Sequence, residues 1–365
     1  MTNRPYQICT RCIMDTSDPH ITFDEQGVCN HCRDYEKKWK KITSESHRRG
    51  LEKIIERIKE EGRNKEHDCV IGVSGGVDSS YLAYLAVKKF GLRPLAVHLD
   101  NGWNSELAVK NIENLIKKLG IDLYTYVIDW EEFKDLQRSF IKASVVDIEL
   151  LTDNAIVAIL YQMASKERLK FILTGGNIAT EAIMPLAWNH RKSDVKNIRS
   201  IQKIFGTQPI KTFPSVSTIQ IIFYELIKRI KAVRILNYLP YEKKEAMRVL
   251  EEELHWRPYQ SKHGESLFTK FYQNYILPTK FGIDKRRAHL STLICSHQMT
   301  REDALREIQK ELYSPQALAE DKEYVLKKMG FTAPEFEQIM KTPPRSHFDY
   351  PYDRLRIFIK SVFKI

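Results

Sequence analysis

A short apolar run, Cys69-Val-Ile-Gly-Val73, leads straight into Ser74-Gly-Gly-Val-Asp-Ser79, and a helical pattern over 80–90 follows. A buried-type strand, a glycine turn and a helix in that order form half of a βαβ unit, which needs a parallel neighbour strand. Three further apolar runs, at 94–99, 123–128 and 171–174, alternate with helical stretches at 106–119, 130–151 and 154–167. This alternation predicts an α/β fold with a doubly wound, mostly parallel sheet.

In such sheets the ligand crevice lies beyond the carboxyl ends of the strands. Three polar turns fall at those ends: Ser74–Ser79, Asp100-Asn101-Gly102 and Thr174-Gly175-Gly176-Asn177. Glycines let the backbone approach phosphate oxygens, and a helix amino terminus offers free N–H groups to an anion. Ser74 and Ser79 add hydroxyl donors. Asp78 suits Mg²⁺ or loop orientation rather than bare phosphate. No lysine follows the glycines, so this is not a Walker A loop. An acidic residue at Asp100 suits a ribose, an adenine or Mg²⁺. Gly175 and Asn177 suit the α-phosphate side.

Near the start, Cys9-x-x-Cys12 and Cys29-x-x-Cys32 are separated by 16 residues. Two such turns can converge on one tetrahedral ion, giving a closed four-thiolate structural Zn²⁺ site, with an iron–sulfur cluster as the alternative. His20 and His31 are expected outside that shell. Of the other two cysteines, Cys69 reads as core. Cys295 lacks the sequence context of a nucleophile.

The sequence divides into a zinc-binding knot at 1–45, an α/β nucleotide-binding domain at 46–200 and a helical region at 201–365 that covers the crevice. Helix candidates in the last are 216–236, 243–254, 300–312 and 315–328. Within 219–236 an amphipathic pattern with Lys228, Arg229, Lys231 and Arg234 on its polar side reads as core packing, or as contact with a membrane or a partner helix. No run is long and apolar enough to span a bilayer, which with the absence of a signal-peptide core predicts a cytoplasmic protein. The net charge of +11 fits a nucleic acid, a polyanionic small substrate or an anionic surface, and does not choose among them.

The Ser74–Ser79 segment is the PP-loop signature of the N-type ATP pyrophosphatases. The chain resembles the N-acetyl sugar amidotransferases of bacterial surface-polysaccharide (lipopolysaccharide O-antigen) biosynthesis. The resemblance rests on Cys9-Thr-Arg-Cys12-Ile-Met-Asp15, Cys29-Asn-His-Cys32, Leu99-Asp-Asn-Gly-Trp103, Leu173-Thr-Gly-Gly-Asn-Ile178, the 278–291 segment containing Lys285-Arg-Arg-Ala-His-Leu290, and Gln298-Met-Thr-Arg-Glu-Asp-Ala304. It departs from the family at Gln260-Ser261-Lys262, at Gly264 and at His297.

The resemblance implies that ATP adenylates the amide oxygen of an N-acetylated nucleotide sugar. Pyrophosphate leaves, and ammonia then displaces AMP to give an acetamidino group. It further implies that Ser74, Gly75, Gly76, Asp78 and Ser79 hold the pyrophosphate part with Mg²⁺, and that Asp100 and Gly175 line the nucleotide site. Lys262, Lys285, Arg286 and Arg287 are candidate cations for the developing charge. No paired thiol nucleophile is evident, so ammonia is expected from a separate glutaminase subunit, with a cyclase-like ammonia-channel subunit as a further candidate partner. No nucleic acid is expected. The alternative readings are a PP-loop enzyme that thiolates or forms an amide on a tRNA base, and a nucleotide-binding scaffold without chemistry.

Overall fold

The computed structural model describes residues 4–259 and 264–354. At its centre is a five-stranded sheet: β1 (Cys69–Gly72), β2 (Pro94–Asp100), β3 (Leu123–Val127), β4 (Phe171–Leu173) and β5 (Lys231–Val233). The strand order is β3-β2-β1-β4-β5, with every pairing parallel. The order reverses between β1 and β4, which opens a crevice at their carboxyl ends.

Helices precede and separate the strands: α1 (Asn30–Ile42), α2 (Glu45–Gly62), α3 (Val77–Tyr84), α4 (Glu106–Leu119), α5 (Trp130–Ala143), α6 (Leu150–Lys166), α7 (Ile178–Glu181), α8 (Val195–Phe205) and α9 (Thr218–Leu226). After β5 come α10 (Lys243–Leu254), α11 (Leu267–Phe271), α12 (Arg286–Cys295), α13 (Arg301–Ile308), α14 (Pro315–Met329) and α15 (Ala333–Lys341).

Strand alternation explains the two-faced core, because successive side chains point to opposite sides of the sheet. On β1, Val70 joins Leu136, Phe140, Leu151 and Ile159 of α5 and α6 on one face. Cys69 and Ile71 turn the other way, toward Ile58 of α2, Leu82 of α3, Ile112 of α4 and Leu250 of α10. Both faces of the central strands are therefore covered, as their continuous apolar sequences require. Side-chain caps at Ser105, Asp129, Ser314 and Thr332 start α4, α5, α14 and α15.

Two segments depart from the sequence expectation: the helix expected over 130–151 ends at Ala143, where Ser144 takes a left-handed conformation, and α6 starts only at Leu150. The stretch 216–236 is not a single helix: α9 ends at Leu226, and the chain reverses to supply β5 at the sheet edge. Ala232 and Val233 are too few to give a readable strand pattern beside the basic residues that flank them.

Candidate functional site

The glycine turn after β1 sits at the point where strand order reverses. Gly75 has φ +78°, and a Cβ there would meet the Ala108 carbonyl oxygen at 2.9 Å and the Tyr259 hydroxyl at 3.1 Å. Only glycine fits without displacing backbone. Its carbonyl oxygen accepts from Trp256 Nε1 at 2.8 Å and from the Tyr259 hydroxyl at 2.9 Å. Asn111 of α4 holds the 257–259 segment in turn, accepting from Arg257 N and donating to the Arg257 carbonyl and Tyr259 hydroxyl oxygens. The loop is thus fixed from the C-terminal region as well as from the sheet. Ser74 Oγ lies 3.1 Å from Ser79 Oγ, and Ser79 Oγ accepts from Ser74 N. The first-turn N–H groups of α3 have no partner within the helix, so an anion can take them.

Gly175 closes the other side. A Cβ at this position would lie 3.0 Å from Asp78 C and from Ser79 N, so the turn after β4 rests directly on the start of α3. Asn177 Oδ1 then caps α7 by accepting from Thr180 N and the Thr180 hydroxyl, and Asn177 Nδ2 donates to the Gly175 carbonyl. Asn177 is buried and shapes this turn. Glu181, at the end of α7, emerges into the cleft. Ser74, Gly76, Asp78, Ser79, Gly175, Glu181, Lys243 and Glu265 line one cleft of ≈ 320 Å³ together with Trp256 and Tyr259. The Tyr241 hydroxyl donates to Asp78 Oδ1. Burial, then the charges of Asp78 and Glu181, push the Tyr241 hydroxyl pKa well up, so it stays a donor. Asp78 and Glu181 thus bring two carboxylates to the lining of one cleft, and both act on the Tyr241 hydroxyl.

The remaining expected site residues are elsewhere. Asp100 Oδ1 accepts from Gly102 N at 2.9 Å and Asn104 Nδ2 at 3.2 Å, forming the turn that ends β2. Lys285 is not a free cation in this cleft: it is buried, and its ammonium lies 2.7 Å from Glu149, which also accepts from Gln273. Arg286 is spent on Asp284 and on the carbonyls of Glu307, Ile308 and Lys310. Arg287 pairs with Asp15 at 3.0 Å and donates to the Ile13 carbonyl. The helix that carries this basic run anchors the N-terminal knot, which sequence spacing could not reveal. Lys262 lies outside the described residues. Tyr241, Lys243, Trp256, Tyr259 and Glu265 belong to no short motif, whereas Glu181 carried a signal, an acid at the end of the helix opened by Asn177.

The four cysteines meet. Sγ separations are 3.9 Å for Cys9 and Cys32, 3.7 Å for Cys12 and Cys29, and 3.7 Å for Cys29 and Cys32. Tetrahedral thiolates at a zinc–sulfur distance of about 2.3 Å stand about 3.8 Å apart, so the set fits one ion. Thiolates on the separate irons of a cluster would stand farther apart. Backbone N–H groups of Arg11, Cys12 and Cys29 point at Cys9 Sγ, and Met14 N at Cys12 Sγ, which stabilises thiolate charge. His31 lies outside the sulfur shell, 2.7 Å from Asp18. Cys295 of α12 brings a fifth thiol to 3.8 Å from Cys32 Sγ, a neighbour no spacing rule predicted.

Two family matches cover most of the chain. Residues 49–212 match NAD synthase, and residues 265–363 match the family described as LPS biosynthesis protein WbpG-like, C-terminal domain. The chain belongs to the PP-loop ATPase superfamily and carries a WbpG-like C-terminal domain. An uncharacterised protein of Methanocaldococcus jannaschii is 28% identical over 171 residues, 46% of this chain and 58% of that protein. The glutamine-hydrolysing GMP synthase of Pyrobaculum aerophilum is 39% identical over 83 residues, 23% of this chain and 16% of the synthase. The chain thus spans under two thirds of either relative. A solved NH3-dependent NAD synthetase from Campylobacter jejuni aligns with TM-score 0.31 at 17% identity, covering 80% of this chain and 97% of that one.

Proposed function

We propose that this PP-loop protein is an AMP-forming amidotransferase that converts an acetamido group of a nucleotide-activated sugar to acetamidino, using ammonia supplied by a separate glutaminase. The observation that carries this reading is the cleft that residues of the Ser74–Ser79 loop, Gly175 and Glu181 line together. The match to NAD synthase supports ATP-dependent ligase chemistry, the match to the WbpG-like domain supports a surface-polysaccharide substrate, and the likeness to a glutamine-hydrolysing synthase supports an ammonia donor.

In this account the α3 amino terminus, Ser74 and Ser79 bind the β- and γ-phosphoryl oxygens. Asp78 and Glu181 would hold Mg²⁺, which when bound offsets the charge of the departing pyrophosphate. Gly175 lets the α-phosphorus approach the end of β4. The acetamido oxygen attacks that phosphorus, and the bond to the β-phosphate oxygen breaks. Ammonia then adds to the activated carbon. AMP leaves carrying the former amide oxygen, and a proton is released. Among the described residues lining the cleft, Lys243 is the cation that would stabilise the developing phosphate charge. Cys9, Cys12, Cys29 and Cys32 would hold Zn²⁺ as a structural ion that ties the knot together.

The test is product analysis with ATP, Mg²⁺, ammonium and a panel of UDP- and CMP-linked N-acetylated sugars. AMP and pyrophosphate should appear together, with one sugar losing the mass difference between oxygen and NH. Release of ADP, or AMP formation only with added tRNA, overturns the proposal in favour of another ATPase or an RNA-modifying enzyme.

A further inference from the structure

α9 packs only its inner side. Tyr224 stacks on Tyr161 with ring centroids 5.2 Å apart, and Glu225, the helix's acidic residue, accepts from the Tyr161 hydroxyl at 3.0 Å. No residue of α9 is fully buried. On the outer side Ile219, Phe223 and Leu226 follow helical spacing, and Ile227 extends the stripe; they are 64%, 45%, 71% and 68% exposed. Single exposed apolar residues need no explanation, but an unpartnered stripe of four marks an interaction surface.

The surroundings of the stripe are basic. Lys228 and Arg229 follow it at once, and Lys231 opens β5; all three are exposed. Lys170 joins them, its ammonium donating to the Lys228 carbonyl at 2.8 Å. Lys228 Nζ stands 5.9 Å from the Phe223 ring centroid, with its stem along the apolar side and its charge at the margin. Position separates this surface from the catalytic cleft. Lys231 N bonds to the Lys170 carbonyl at the amino ends of β5 and β4, whereas the Ser74–Ser79 loop lies at the carboxyl ends.

We infer that the α9 stripe and its basic margin are a peripheral docking surface for an anionic phospholipid bilayer, which leaves the catalytic cleft facing away from the membrane. Apolar side chains enter the headgroup boundary while lysine and arginine meet lipid phosphates, the combination that interfacial helices use. The inference is independent of the chemistry at the loop.

Flotation of the full chain with vesicles tests it, comparing phosphatidylcholine alone with phosphatidylcholine containing phosphatidylglycerol. Binding should require phosphatidylglycerol and fall steeply with added salt. The double substitution L226E/I227E should abolish it. Replacing Lys228 and Arg229 by alanine should weaken it roughly thirtyfold, at about fivefold per basic residue. All four side chains are exposed, so an unchanged far-UV spectrum and thermal midpoint are expected. Absence of binding to the anionic vesicles, or binding that both variants retain, overturns the inference. So does a salt-resistant dimer in sedimentation velocity that L226E/I227E dissolves, since the stripe would then serve a second copy of the chain.

Discussion

Gly175 and Tyr241 show how single atoms set this site. At Gly175 the contacts within 3.1 Å are the backbone of Asp78 and Ser79, which cannot swing aside. Gly175→Ala should therefore push the β4 turn off the start of α3. A displacement near one ångström at a reacting centre costs on the order of a hundredfold, so the AMP-forming rate should fall by that order while the thermal midpoint shifts little. An alanine variant with unchanged rate would show that the close approach has no part in catalysis. Tyr241 acts on Asp78 through one hydrogen bond. Removing its hydroxyl in Tyr241→Phe frees the Asp78 carboxylate to rotate, and kcat/KM for ATP should drop about tenfold, the lower end for a bond to a charged group. Extra Mg²⁺ should recover part of the loss; a variant indifferent to Mg²⁺ would assign Tyr241 to packing alone. The Ser74–Ser79 loop and Gly175 were legible in the sequence because strand, turn and helix are contiguous there. Tyr241 was not, because its contact spans 163 residues of chain. Lys285 and Arg286 show the complementary limit: charge shows in a sequence, but the acid that pairs with it does not.

Among the elements, α5 shows how acidic residues can organise a segment without doing chemistry. Glu132 and Asp135 are buried, and burial opposes their charge. Bonds from Thr212, Phe213 and Lys211 to Glu132, and from Thr207, Gln208 and Gln202 to Asp135, outweigh that cost and hold both carboxyls below the ordinary range. Their folded-state pKa values are depressed, so the stability they contribute is present above the unfolded value of about 4 and is lost as pH falls below it. Asp135→Asn should lower stability by about 1.5–3 kcal/mol at neutral pH, and the gap from the parent should close on acidification. Denaturant titrations at several pH values measure this; a gap that stays constant down to acid pH would contradict it. The periodicity of α4, α5, α10 and α14 made those helices readable. The reversal after α9 was not readable, because the pattern of a short edge strand is hidden where basic residues flank it.

Over the whole molecule, the N-terminal knot and the C-terminal helices support one another. Arg301 donates to the Cys9 and Cys12 carbonyls, Ser291 Oγ accepts from Ile13 N, and Arg287 reaches Asp15. α12 also contacts α7, which carries Glu181 toward the cleft. Loss of the knot's ion should thus be felt at the catalytic end. The purified chain should carry one zinc and no visible iron–sulfur absorption, and Cys12→Ser should lose the metal and several kcal/mol of stability. Visible absorption with iron in place of zinc would contradict the four-sulfur geometry. The meeting of the four cysteines was evident from spacing, but the binding of the knot to α12, and the approach of Cys295, depend on contacts across most of the chain.

In the proposed reaction the acetamido oxygen itself attacks the α-phosphorus of ATP in the cleft lined by Ser74, Asp78, Ser79, Gly175 and Glu181. The most direct measurement uses a substrate sugar whose acetamido oxygen is heavy-isotope labelled and follows the label by mass spectrometry of the nucleotide products. The label should appear in AMP, one atom for each acetamidino group formed. Label found in inorganic phosphate or water, with unlabelled AMP, would contradict it.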